Sequence, residues 1–165
     1  MVFCSSLSQL LNLTRDILIL LHIILIFFFF YLSGRTNERK KFFLRFLFLV
    51  SLLLIILLIV LLIKLNLPTL RPIFYCNLNY TLSDRLYFND SFPSSHTAIS
   101  MALFLFSLYY LNQFKYLPVI SLILTLIIAF LSYLSLMHWL SDIIFGAAFS
   151  IAIFYILHFL TRRYL

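Results

Sequence analysis

The chain has 165 residues, 64% of them hydrophobic and 10% charged, with a mean hydropathy of +1.12. Too few charges are present to cover a water-soluble domain of this length, and the net charge of +7 is read as topology rather than as a nucleic-acid footprint. The composition implies an all-α, polytopic transmembrane helix bundle of about five spans, forming one domain over residues 1–165 and partnered by the lipid bilayer.

In chain order, Met1 to Leu13 interleaves Ser5, Ser6, Ser8 and Gln9 with apolar residues and reads as an interfacial segment. Ile17 to Leu32 is the first expected span, near the shortest stretch that crosses an apolar layer of ~30 Å. Arg15-Asp16 precede it and a stronger basic cluster follows, the reverse of a secretory signal's charge order. His22, inside the span, has no motif around it and reads as a neutral histidine packed on a neighbouring helix. Gly34 to Lys41 is a polar loop holding Arg35, Glu38, Arg39, Lys40 and Lys41. Phe42 to Ile63 is the second span, and Arg45 can snorkel back to its interface. Residues 64–95 form the longest polar stretch, with three of the four prolines. A loop of about thirty residues in a compact bundle points to function.

His96 to Leu111 is the third span and Asn112 to Lys115 a turn. Leu117 to about Leu134 is the fourth span, with Pro118 in its first turn, where proline is tolerated. Ser135 to Ser141 is a short connection, and Asp142 opens a fifth span that runs to about Leu160. His158 reads as an interfacial residue. Cys4 and Cys76 make no metal-ligand or redox spacing. Five spans put the Gly34–Lys41 loop, the Asn112–Lys115 turn and Arg162-Arg163 on one side. With Arg45, that side carries eight of the twelve Lys and Arg, against Arg15, Lys64, Arg71 and Arg85 on the other. The positive-inside rule makes the first side cytoplasmic and the 64–95 loop external.

Three groups of residues then share the outer face. Lys64 and Arg71-Pro72 are separated by six residues. Pro93-Ser94-Ser95-His96 stands where a polar loop meets an apolar run and reads as a helix start, with Ser94 or Ser95 near the N-cap. His138 and Asp142 lie four apart, with Gly146 one turn further. Cations and a helix N-terminus suit a phosphoryl group. One histidine can attack phosphorus while the other protonates the leaving oxygen, and Asp142 can hold the His138 imidazole. Each residue also has a plain structural reading, as the end of a span, an interfacial anchor or a helix cap. Those readings do not account for the common order, spacing and face.

In these motifs the chain resembles the type 2 phosphatidic acid phosphatase / vanadium haloperoxidase superfamily, in its membrane lipid phosphatase branch. The family's signature is K-x6-R-P, then P-S-G-H, then S-R-x5-H-x3-D. Lys64, Arg71 and Pro72 match the first, Pro93, Ser94 and His96 the second, and His138 and Asp142 the third. Ser95 stands where glycine is usual. The resemblance implies His138 as the nucleophile of a phosphohistidine mechanism, oriented by Asp142, with His96 as general acid. It implies Lys64, Arg71, Ser94 and Ser95 as phosphate ligands, and neither a metal nor another cofactor. The S-R pair is replaced by Leu131-Ser132, so the family's third phosphate-binding arginine is absent. Arg85, the other arginine of the outer loop, is the candidate replacement, against the reading of a solvated charge beside Asp84. Members of the membrane branch commonly have six spans, so one is missing at the N-terminal side.

The expected function is therefore an integral phosphatase of the plasma (cell inner) membrane, with its active site on the extracytoplasmic side. Its substrate would be a lipid phosphate or lipid pyrophosphate, such as undecaprenyl pyrophosphate, phosphatidylglycerol phosphate, phosphatidate or a lipid A phosphate. The alternatives are a lipid phosphotransferase with the same intermediate and a catalytically weakened lipid-binding member.

Overall fold

The computed structural model describes residues 2–34, 39–73 and 90–163. These residues form five helices: α1 (Val2–Ser33), α2 (Arg39–Asn66), α3 (Ser95–Tyr110), α4 (Leu117–Leu134) and α5 (Leu140–Thr161). Four stretches are long and apolar enough to cross a membrane: Leu7–Ser33, Lys41–Asn66, Leu117–Leu134 and Leu140–Thr161. The fifth helix, α3, has 16 residues and packs against all four others.

Side-chain size explains why α3 takes the centre. Ala98, Ser100 and Ala102 are fully buried and let neighbouring backbones approach. Leu103 and Phe106 then fill the space against Phe30 of α1, Leu49 and Leu52 of α2 and Phe154 of α5. The outward faces carry Leu20, Leu54, Leu126, Phe145 and Phe159, all exposed. An apolar exterior over a partly polar interior suits lipid as the solvent, since every buried polar group must find its partner inside.

Helix α1 is tied to α4 by hydrogen bonds at two levels. Ser8 Oγ donates to the Ser135 carbonyl at 2.6 Å. Deeper in, His22 Nε2 meets Ser121 Oγ at 2.6 Å, and its Nδ1 meets Ser100 Oγ of α3 at 3.0 Å. Ser100 Oγ in turn donates to Thr125 Oγ1 at 3.0 Å. His22 is thus a packed histidine with both nitrogens engaged.

The expected break between an interfacial Met1–Leu13 and a span from Ile17 is corrected by the structure: α1 is continuous from Val2 to Ser33. Its polar residues do not interrupt it. Ser8 is satisfied by α4, and Thr14 Oγ1 donates to the Leu10 carbonyl at 2.9 Å within the helix. Helix α2 likewise runs past Ile63 to Asn66, so Lys64 sits on its last turn and the 64–95 loop begins only at Leu67. At the end of α4, Leu136 takes a left-handed conformation (φ 56°), and its carbonyl accepts from Ile73 N–H at 2.8 Å. Glycine is commoner in such a cap, and a leucine there costs ~1–2 kcal/mol.

Candidate active site

A short segment, Asp90 to Phe92, ties the three sequence motifs together. Thr69, from the first motif, bridges Asp90 in parallel, and its carbonyl accepts from Ser91 N–H at 3.0 Å. Its hydroxyl also accepts from Phe92 N–H at 2.8 Å. Ser91 Oγ donates to Asp142 Oδ2, which also accepts from Trp139 N–H at 2.9 Å. Asp142 is the third residue of α5 and so closes the first turn of that helix back onto its N-cap. Its own carbonyl accepts from Ser94 N–H at 3.1 Å, docking the start of α3 on the start of α5. That approach needs Gly146, where a Cβ would lie 2.6 Å from the Ser94 carbonyl oxygen.

His138 occupies the connection between α4 and α5 and is 2% exposed. Its Nδ1 is 2.7 Å from the Ser91 carbonyl and 3.9 Å from Asp142 Oδ2. A carbonyl can only accept, so the proton sits on Nδ1 and Nε2 keeps its lone pair. The expectation that Asp142 holds the imidazole directly is therefore modified. The Ser91 backbone holds it, and Asp142 fixes Ser91. Burial pushes the His138 imidazole below the usual histidine range, with Arg71 and Lys64 adding to it against the opposing pull of Asp142 and the Ser91 carbonyl.

Lys64 and Arg71 converge on Asp90. Lys64 Nζ donates to the Asp90 carbonyl at 2.7 Å and lies 3.7 Å from Oδ2. Arg71 Nε and Nη2 reach Oδ1 at 2.8 and 2.6 Å, and Nη1 reaches Met137 Sδ at 3.4 Å. Burial alone would raise the Asp90 carboxyl, but the Arg71 and Lys64 charges outweigh it and hold the group below the usual carboxylate range. Two cations thus face His138, each paired with a carboxylate that is about half exposed.

At the start of α3, Ser94 is the N-cap, one of the two serines the sequence offered. Its hydroxyl is turned inward, 3.0 Å from Thr97 Oγ1 and accepting from Thr97 N–H at 3.5 Å. Ser95 is partly exposed. The first-turn N–H groups, rather than the Ser94 hydroxyl, are what this helix end offers an anion. His96 Nε2 lies 3.1 Å from Asp16 Oδ1 of α1, while its buried Nδ1 has no hydrogen-bond partner among the described residues.

Lys64, Arg71, Ser94, Ser95, His96, His138 and Asp142 therefore meet at one end of the bundle. Arg85 lies outside the described residues, as does Cys76. Ser132 is buried with its hydroxyl on the Ile128 carbonyl at 2.8 Å, so it brings no charge to the site. Among the described residues, no group of three or more His, Cys, Asp or Glu is arranged to hold a metal.

Sequence reasoning missed Ser91, Asp16 and Arg15. Arg15 is 4% exposed, and its Nε and Nη2 reach the same Asp16 oxygen that His96 faces, at 3.0 and 2.8 Å. A signal for it exists. Ser8, Arg15 and His22 recur every seven residues, which places three polar side chains on one helical face, and all three are buried. Ser91 has no comparable signal, because its role comes from its backbone.

No curated protein and no solved structure matches the chain. The model of the PAP2 superfamily matches residues 45–164, from within α2 past the end of α5. That stretch carries all three motifs and the groups gathered around His138, and it covers well over half of the chain: the protein belongs to the PAP2 superfamily, whose members are phosphatases acting on phosphate esters.

Proposed function

We propose that this protein is an integral membrane phosphatase that hydrolyses a lipid phosphate or lipid pyrophosphate through a phosphohistidine. The observation that carries the reading is the His138 Nδ1–Ser91 carbonyl bond of 2.7 Å, which leaves Nε2 as a nucleophile beside Lys64 and Arg71. In the first step Nε2 attacks phosphorus and forms the N–P bond. The P–O bond to the leaving group breaks, and His96 gives that oxygen its proton. In the second step His96 takes a proton from water, the water oxygen attacks phosphorus, and the N–P bond breaks to release phosphate. Lys64, Arg71 and the N–H groups of α3 neutralise the oxygens that gain charge in both steps.

Burial of the acting groups at one end of an apolar bundle favours a substrate with its head in the site and its tail in lipid. The Lys and Arg distribution favours the external leaflet. The test is phosphate release by purified protein from a panel of lipid mono- and pyrophosphates, with acid- and base-quenched samples probed for a base-stable, acid-labile phosphoryl adduct. Turnover in the wild type and none in His138→Ala is the expected result. Wild-type rates in His138→Ala would refute the mechanism, and phosphorylated lipid acceptors in place of free phosphate would favour a transferase.

A further inference from the structure

We propose that Arg15 of α1 is a phosphate-binding residue of this site and supplies the guanidinium that position 132 lacks. The proposal deepens the phosphatase reading and rests on it. Helix α1 precedes the 45–164 stretch that matches the family, so this role belongs to the chain's own N-terminal helix.

Arg15 lies within a membrane-crossing helix and is 4% exposed. A charge so placed is costly unless it is well paired. Its pairing is incomplete among the described residues: Asp16 takes Nε and Nη2 through a single oxygen, and Nη1 is buried with no partner there. Asp16 itself is 52% exposed and could be satisfied by water alone, so it does not require a buried arginine. The same Asp16 oxygen lies 3.1 Å from His96 Nε2. A guanidinium fork and an imidazole therefore converge on one anionic oxygen, with a further N–H left over. A phosphoryl oxygen asks for such a set of donors, and a half-exposed carboxylate can yield its place to one.

The helix pairing explains how α1 reaches the site. Ser8 is bonded to Ser135 and His22 to Ser121, so α1 and α4 run antiparallel. Arg15 is seven residues from each of these contacts, on the same face of α1. Ser132 falls between the corresponding contacts on α4. An arginine at either position serves the same end of the bundle, and in this chain α1 provides it.

The test uses purified full-length protein in detergent, with orthovanadate as the probe of anion binding and phosphate release from a lipid phosphate as the rate. Arg15→Gln should weaken orthovanadate binding by about tenfold or more and lower turnover by a factor on the order of 10²–10³. Adding Ser132→Arg should restore part of both. Asp16→Asn, which removes the competing charge at nearly constant shape, should bind orthovanadate more tightly than wild type. Folded Arg15→Gln with wild-type orthovanadate affinity would overturn the proposal while leaving the phosphatase reading intact, provided Lys64→Ala still loses binding. If Arg15→Gln does not fold, Asp16→Asn decides, and unchanged or weaker binding overturns the proposal. A wild-type protein that neither binds orthovanadate nor releases phosphate would overturn the phosphatase reading and this proposal together.

Discussion

His138 is held by the backbone of Ser91: its Nδ1 is 2.7 Å from that carbonyl, whereas Asp142 Oδ2 is 3.9 Å away. The carboxylate acts through Ser91, whose hydroxyl it binds, and through its negative charge near the ring. This relay divides the expected effects of substitution between the two residues.

Ser91→Ala keeps the carbonyl and should lower turnover less than tenfold. Asp142→Ala removes the acceptor of the Trp139 N–H bond and the shorter Ser91 hydroxyl contact, leaving that hydroxyl the Met137 carbonyl at 3.3 Å, at a cost of ~1–3 kcal/mol. It should also reduce turnover on the order of 10²-fold or more, as the loss of an orienting carboxylate does in other histidine-dependent enzymes. Paired measurements of turnover and thermal midpoint check this. A larger loss in Asp142→Ala would assign the difference to its charge near the ring, and equal losses would contradict that contribution.

The pH profile follows from the depressed His138 imidazole. In the proposed mechanism neutral His138 attacks and protonated His96 donates, so kcat/KM should fall on the acid side as His138 gains a proton and on the alkaline side as His96, pushed down by burial to about 4, loses its own. Arg71 and Lys64 disfavour the imidazolium, so removing either charge should move this acid limb to higher pH. Asp142→Asn removes an opposing influence and should move it lower. Profiles of wild type, Lys64→Met and Asp142→Asn provide the check, and a common acid limb in all three would separate it from His138.

Gly146→Ala is a test of helix docking. In most helix interiors this change stabilises by ~1 kcal/mol. Here the added Cβ would meet the Ser94 carbonyl oxygen at 2.6 Å, a backbone atom that cannot swing aside. The α3 N-terminus must then retreat from α5, at a cost of ~1–3 kcal/mol. The expected result is a lowered thermal midpoint together with lost turnover. A raised midpoint with full activity would contradict the packing.

Topology gives a further prediction. Eight of twelve Lys and Arg lie toward the Gly34–Lys41, Asn112–Lys115 and Arg162-Arg163 end. A reporter fused at Arg163 should therefore be active only in the cytoplasm. Activity on the opposite side would place the His138 end of the bundle at the cytoplasmic face.

By itself, the sequence determined the membrane class, the α4 boundaries, a serine cap at Ser94 or Ser95 and the three motifs around Lys64, His96 and His138. These are local properties: apolar runs mark helices that lipid can solvate, and capping and motif spacing are read within a few residues. Tertiary structure alone decided that α1 is one helix from Val2, that Ser91 stands between Asp142 and His138, and that Arg15 and Asp16 face His96. The last two relationships join residues 47 or more positions apart, as His138 and Ser91 show. Hydropathy carries no information about such pairs. Inside a membrane bundle a polar residue is placed by the partner that satisfies it, and that partner is known only once the helices have packed.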